Sequence, residues 1–309
     1  MNKEIPRVSV CIFTFNYEKY LSQAIDSVLG QTTSFPIEII IGDDCSTDAT
    51  REIAENYHIK YPDIIRLSFN DTNKGGTYNW INTMNQCNGD YIALLDGDDY
   101  FTDQCKLQKQ FDALEKDNEA VLCFHAVEEK YDDIQGKDKV VRFEKPNYTL
   151  EDFLTRGWFI RTGSTFFRNH LLPKQPPSWV FNFPYRYDTI LHVFLGVNGH
   201  AIYIDDVMSV WRKHQKGMSY VLLERAISNI SKEIEMALQL DDFTNKTFHS
   251  RVKKYCNIQY SGMCLYLLKT GLFLKYPRMF LLSLFKMDYL YSIRQLFKSI
   301  HDRIFKVGQ

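Results

Sequence analysis

Apolar and polar positions in the first hundred residues follow two alternating patterns. Residues 7–15 are rich in Val, Ile and Phe and residues 37–41 are apolar but for Glu38, which predicts strands buried on both faces. Between them Leu21, Ile25, Val28 and Leu29 recur at helical spacing, with Gly30 to stop the helix. The pattern repeats. Residues 46–57 predict a helix that Ser46 or Asp48 caps, with Ile53, Ala54 and Tyr57 inward. Residues 64–69 predict a strand, 80–87 a helix, 91–95 a strand, and 103–116 a helix facing inward through Leu107, Phe111 and Leu114. Residues 121–127 are strand-like, and the polar stretch 132–139 reads as a turn or hairpin tip. After that the alternation fades. Thr149 caps a short helix, 165–167 and 200–204 are short strands, 173–178 is a proline-rich loop, and 187–195 is a helix. Residues 222–240 predict a long helix with Ile227, Ile230, Ile234 and Leu238 on one stripe. The fold class is therefore α/β, a parallel sheet with helices on both faces, followed by a helical C-terminal extension.

Ligands of such sheets bind outside the carboxyl ends of the strands. Asp43 and Asp44 end the second strand, and Asp96, Asp98 and Asp99 follow the run Tyr91–Leu95. Carboxylates packed this closely repel one another unless positive charge sits among them. A hard divalent cation, Mn²⁺ or Mg²⁺, is the simplest partner, and phosphate oxygens commonly complete its shell.

Composition narrows the picture further. Apolar residues make up 45% of the 309 positions, enough for a substantial core. A net charge of −1 predicts no nucleic-acid partner, but the charge is uneven: from Arg251 onward the excess is +9, so the preceding part carries −10. That tail interleaves Leu, Phe, Tyr and Met with Lys and Arg, a pattern of helices that lie on an anionic membrane surface. Packing as a subdomain, or against a second copy in a homodimer, is the alternative. The seven cysteines are scattered, against a disulfide framework or a zinc site, and suit a reducing cytoplasm. The apolar run near the N-terminus is too short for a signal peptide and reads as a strand.

In order along the chain stand VSVCIFTFN, EIIIGDDCSTDAT, NKGG and GDYIALLDGDD, then Ser164 to Arg168, the helix start at Tyr187-Asp188, and WRKHQKGMS. This order resembles the family 2 glycosyltransferases of the GT-A fold, over roughly residues 6–220. The resemblance implies inverting transfer of a sugar from a nucleotide-sugar donor, commonly a UDP-sugar, to a hydroxyl of a saccharide or lipid-linked saccharide, in bacterial surface polysaccharide or glycolipid synthesis. It divides the chain into a donor-binding half, 1–125, an acceptor-binding half, 126–220, and the extension, 221–309. It places the metal on Asp98 and His214, and the ribose or a metal-bound water at Asp96. Asp44 takes the nucleobase, with Thr14, Asn16 and Gly75 lining the nucleoside pocket and Arg212 adding positive charge near the leaving group. Asp188 becomes the general base. Ser164 and Thr165 resemble acceptor-side residues. Capping and turn formation are the plainer accounts of Asn16, Ser46 and Asp48. His125 reads as a core histidine, and Trp158 and Trp179 as either packing or sugar-stacking residues. Three positions depart from the family: Trp80 and Ile81 stand where an Arg and an Asn are common, and Tyr187 replaces the usual Glu. The cytoplasm, on the inner face of the membrane, is the expected location. A sugar nucleotidyltransferase is disfavoured because TFNYEKY lacks a glycine-rich triphosphate loop; a non-catalytic carbohydrate- or membrane-binding module would not need both Asp98 and Asp188.

Overall fold

The computed structural model describes residues 5–217, 226–271 and 274–287. Described residues within Met1–Phe153 and Gly157–Val221 form one unit, and those within Leu154–Arg156 and Leu222–Gln309 a second.

In the first unit the strands are β1 (Val8–Thr14), β2 (Ile37–Asp43), β3 (Ile65–Phe69), β4 (Tyr91–Asp96), β5 (Tyr100–Phe101), β6 (Ala120–Tyr131), β7 (Lys139–Val141), β8 (Asn147–Tyr148), β9 (Phe166–Arg168) and β10 (His200–Lys213). Helices α1 (Leu21–Leu29), α2 (Thr50–Lys60), α3 (Gly76–Met84) and α4 (Lys106–Lys116) alternate with the early strands; α5 (Leu150–Thr155) and α6 (Tyr187–Gly196) come later. The sheet order is β3-β2-β1-β4-β9-β6-β10-β5, with β7 paired to β6 and β8 to β10. Strands β3, β2, β1 and β4 are parallel, and β9 runs antiparallel between β4 and β6.

The core explains why the strands read so clearly. Every residue of β1 is buried. Val8, Val10 and Ile12 meet Ile39, Ile41, Ala93 and Leu95 on one face, covered by Leu21, Ala24, Ile25 and Val28 of α1. Each such side chain contributes about 1.5–3 kcal/mol through removal from water. The parallel register sets Phe13 beside Asp96 and Thr14 beside Asp43, so three strands deliver their polar ends to one edge.

Several expected elements shift. The helix expected at 80–87 runs from Gly76 to Met84, because the Pro184 carbonyl accepts the Thr77 N–H and the Phe183 carbonyl accepts its hydroxyl, starting the helix earlier. The strand expected at 200–204 continues to Lys213 along β6; register shifts near the polar pair Asp205-Asp206 had hidden its second half. Helix α2 begins at Thr50, and Ser46 bonds Asp43 instead of capping it, although Asp48 does accept the Thr50 N–H at 3.0 Å.

In the second unit α7 (Ala226–Phe243), α8 (His249–Thr270) and α9 (Pro277–Lys286) follow one another. Part of the helix expected at 222–240 lies outside the described residues. Ile234, Met236, Ala237 and Leu240 are buried, whereas Leu238, expected inward, is 44% exposed. Asp241 is also buried, bonded to His249 at 2.6 Å.

Candidate active site

The acid loop sits directly on the β1 terminus. The Gly97 N–H donates to the Phe13 carbonyl at 2.7 Å, and a Cβ at Gly97 would stand 3.0 Å from the Phe13 oxygen and from the Thr14 Cβ. Close approach thus favours glycine between the acids. Below it the Thr14 hydroxyl is buried with no hydrogen-bond partner, a polar atom left for a ligand or water.

Asp98 Oδ2 lies 2.9 Å from His214 Nε2, both side chains nearly buried. This contact joins β10's C-terminal end to the acid loop and brings two expected metal residues together. Tyr17 and Tyr20 enclose the imidazole, with ring centroids 6.0 and 4.6 Å away. Asp99 Oδ1 accepts the Arg212 backbone N–H at 2.7 Å, so Asp99 orients the loop. Among the described residues no three His, Cys, Asp or Glu side chains form a closed cage. Asp98 and His214, a carboxylate and an imidazole, are the two side chains that would hold a cation, with its remaining positions open to a ligand. That donor set fits Mn²⁺ or Mg²⁺ bound jointly with phosphate, the imidazole favouring Mn²⁺.

Electrostatics point the same way. Burial, then Asp98, raises the Asp96 carboxyl well above its usual range, with Asp188 adding to the effect. Burial, then Asp98 and Asp96, does the same to Asp99. The Tyr17 phenol is raised by burial and by the same three acids. Negative charge here exceeds what the chain neutralises, the condition a bound cation relieves.

Asp188 occupies the second position of α6, half-buried. Its Oδ1 accepts the Thr189 N–H at 2.7 Å and the Thr189 hydroxyl at 3.4 Å. A helix N-terminus favours the anion, yet burial outweighs this and raises the carboxyl above the usual range. The Trp158 indole N–H is buried without a hydrogen bond of ordinary geometry and helps hold the Asp188 anion. Asp188 adds to the raised Asp96 carboxyl, which sets the α6 start near the β4 end. Trp80 stands at the junction: its ring stacks on Phe13 at 4.4 Å and meets Tyr187 edge-on at 6.3 Å. Two departures from the family pattern thus touch each other, and the buried Tyr187 hydroxyl has no partner.

On the β2 side Asp44 Oδ1 accepts from Asn70 at 3.0 Å and from the Lys74 N–H at 2.9 Å, and Oδ2 from the Gly75 N–H at 2.8 Å. The carboxylate fixes the NKGG loop, with Gly75 at φ +89°, a conformation that glycine tolerates best. Asn16, also at positive φ, receives the Thr47 N–H at 2.8 Å on its side-chain oxygen and ties two loops together. Asp43 is bound to Arg51 and Ser46.

The structure places other candidates away from this centre. The Arg212 guanidinium turns to Gln23 and to the faces of Tyr20 and Tyr100, while its backbone N–H bonds the acid loop and its charge partly offsets the rise at Asp99. Ser164 and Thr165 are fully buried, and their hydroxyls meet the Arg161 carbonyl and His192. His125 is core: Nδ1 meets the Ala126 carbonyl at 2.8 Å, and among the described residues Nε2 has no hydrogen bond of ordinary geometry, with the Gly163 backbone as its neighbour. Trp179 packs on Phe183 and Phe194. Sequence reasoning missed Tyr17, Tyr20 and Thr162. Tyr17 and Tyr20 sit just past the first strand, where side chains on the carboxyl edge were to be expected; Thr162, which eases the charge on Asp96, carries no sequence signal.

A sequence profile of Glycosyl transferase family 2 matches residues 9–171, more than half of the chain. An uncharacterized protein of Mycobacterium tuberculosis is 34% identical over 212 residues, covering 68% of this chain and 60% of that protein, so the match spans less than two thirds of the relative's length. The Staphylococcus aureus protein TarS, residues 1–349, solved with UDP-GlcNAc, superposes with a TM-score of 0.62 at 18% identity, over 90% of this chain and 79% of that one. A mannosyltransferase from Pyrobaculum calidifontis, in complex with GDP-Man and Mn²⁺, gives a TM-score of 0.51 at 16% identity, over 96% and 88%. The fold is GT-A, and the chain belongs to glycosyl transferase family 2.

Proposed function

We propose that this protein is an inverting glycosyltransferase that moves a sugar from a UDP-type nucleotide donor to a hydroxyl of a saccharide or lipid-linked acceptor, in surface polysaccharide or glycolipid synthesis. The observation that carries the reading is the Trp80 ring, which stacks on Phe13, the register neighbour of Asp96, and meets Tyr187 beside Asp188, so that the acid loop and the α6 start lie close together. Residues 1–125 hold the donor and 126–220 the acceptor. Asp98 and His214 would hold a divalent cation, whose chemistry is to neutralise charge gathering on the leaving diphosphate. Thr14, with its unpartnered hydroxyl, Asn16 and the Asp44–Gly75 loop form the nucleoside side, and the Trp80 ring closes it.

Asp188 takes the acceptor proton. Thr189 orients the carboxylate through Oδ1, and burial makes it a better base than one in water. Attack from the face opposite the leaving group inverts the anomeric carbon. Structural neighbours support a nucleotide-sugar donor, the TarS complex with UDP-GlcNAc favouring UDP and the mannosyltransferase complex with GDP-Man and Mn²⁺ favouring the use of a cation. No helix among the described residues is long and apolar enough to cross a membrane. The basic tail instead seats the enzyme on an anionic membrane surface, through apolar residues left exposed on α9 such as Leu281 and Phe285. The test is a screen of UDP-, GDP- and dTDP-sugars for cation-dependent hydrolysis. Hydrolysis of one of these donors that needs both Asp98 and the cation supports the reading; none hydrolysed under any cation refutes it.

A further inference from the structure

A cleft of about 280 Å³ opens beside the acid loop, between the start of α1 and the carboxyl ends of β6 and β10. Its cationic lining is Lys19, Lys130 and Arg212, against one carboxylate, Asp132, a formal balance of +2. Asp132 is committed to Lys19 at 2.7 Å and to the Tyr20 hydroxyl at 2.9 Å. Lys130 is exposed, and among the described residues neither it nor the Arg212 guanidinium has a carboxylate within ion-pair distance.

Arg212 is not a loose surface side chain. Its guanidinium lies 4.5 Å from the Tyr20 ring centre and 5.2 Å from that of Tyr100, and Nη2 donates to Gln23 at 2.7 Å. The planar fork is held in place before any ligand arrives, with donors left over. Pre-organised guanidinium suits phosphate and carboxylate oxygens. Parallel pairing of β6 with β10 sets Lys130 beside Arg212 in register, so the two cations are a product of the sheet. The volume is near the lower end for small-ligand sites. Tyr20 forms a wall of this cleft and also packs on His214, so a group bound here lies next to the donor site.

We infer that this cleft binds an anionic group, a phosphate or a carboxylate, carried by the acceptor chain close to the hydroxyl that is glycosylated. The inference rests on the glycosyltransferase reading for the word acceptor. The alternative source of the same chemistry is the donor's own diphosphate.

The experiment is calorimetry on the full chain with three probes, each titrated alone: a short glycerol-phosphate oligomer, an oligogalacturonate, and UDP with Mn²⁺. Lys130→Glu and Arg212→Gln are compared with Lys116→Glu, an exposed lysine on α4 that has the same effect on net charge as Lys130→Glu. At low salt the two cleft variants are expected to weaken binding of at least one anionic oligomer by about tenfold, with Lys116→Glu far less effective and the difference fading in high salt. Loss confined to UDP would assign the cleft to the donor and overturn the inference. So would equal weakening by Lys116→Glu, or failure of the unmodified chain to bind either oligomer. The oligomer arms contain no nucleotide, so they remain decisive even if UDP fails to bind and the glycosyltransferase reading falls. Lys130 is exposed, so that variant keeps the test open should Arg212→Gln misfold.

Discussion

Asp188 combines two demands that usually conflict. As the proposed general base it must stay ionised to accept a proton, and it must be basic enough to take one. The α6 terminus and the Thr189 N–H serve the first; burial serves the second and wins, because the carboxyl is raised overall. Replacing it with Asn keeps the shape and removes the proton acceptor. Asp188→Asn is expected to lower kcat by about 10²–10⁴-fold while leaving UDP affinity within a small factor; equal loss of both would mean a structural role. Activity of the unmodified enzyme should fall with decreasing pH as Asp188 takes a proton. Because its folded-state value lies above 3.8, that acid limb should begin at higher pH than for a solvated aspartate. A rate that stays flat down to the solvated range would contradict this. Tyr17 is a different case: its phenol stays protonated among the acids, where it is a hydrogen-bond donor.

At the scale of elements, short loops at the carboxyl edge carry the site and helices pin them. Gly75 at φ +89° lets the NKGG loop deliver two N–H groups to Asp44 and start α3 under the Pro184 carbonyl. Gly75→Ala should cost about 1–3 kcal/mol by denaturant unfolding and weaken nucleotide binding as well; a neutral result would show that the loop can relax. Strands β1, β2 and β4 were legible because burial on both faces leaves near-continuous apolar runs. Their acids were legible because charge at the end of such a run is costly. The start of α3 was hidden, since a carbonyl more than a hundred residues away sets it. Half of β10 was hidden because Asp205 and Asp206 interrupt its pattern at a bulge. The direction of Arg212 could not be read either: β10's register fixes its backbone beside Asp99, while the stacking that turns its side chain away depends on Tyr20 and Tyr100.

Across the whole molecule the two units invite separate tests. In the first, Lys106 is wholly buried behind the sheet, with Nζ bonded to Gln110 at 2.7 Å and 4.0 Å from the Phe101 ring centre. Burial lowers its pKa to about 7 from 10.5. Between those values the unfolded chain binds the proton more tightly, so stability rises with pH there, and below about pH 7 the cost of burying the charge is complete. Lys106→Met should therefore stabilise the fold by on the order of 1–3 kcal/mol near pH 6, with the gain shrinking towards pH 10. An unchanged or reversed difference in denaturant melts at the two pH values would refute the assignment. In the second unit α9 leaves Leu281, Leu282 and Phe285 exposed at 52, 44 and 83%. Membrane seating predicts that the full chain sediments with anionic vesicles and that Phe285→Asp reduces this; equal sedimentation would favour packing against another protein surface.

The central claim is that the acids after β4 bind a sugar nucleotide through a shared cation. Calorimetric titration of UDP into the unmodified chain and into Asp98→Asn, each with Mn²⁺ and with excess chelator, tests it directly. Binding is expected only in the unmodified chain with Mn²⁺ present. UDP binding of equal strength in chelator, or undiminished cation-dependent binding by Asp98→Asn, would contradict it.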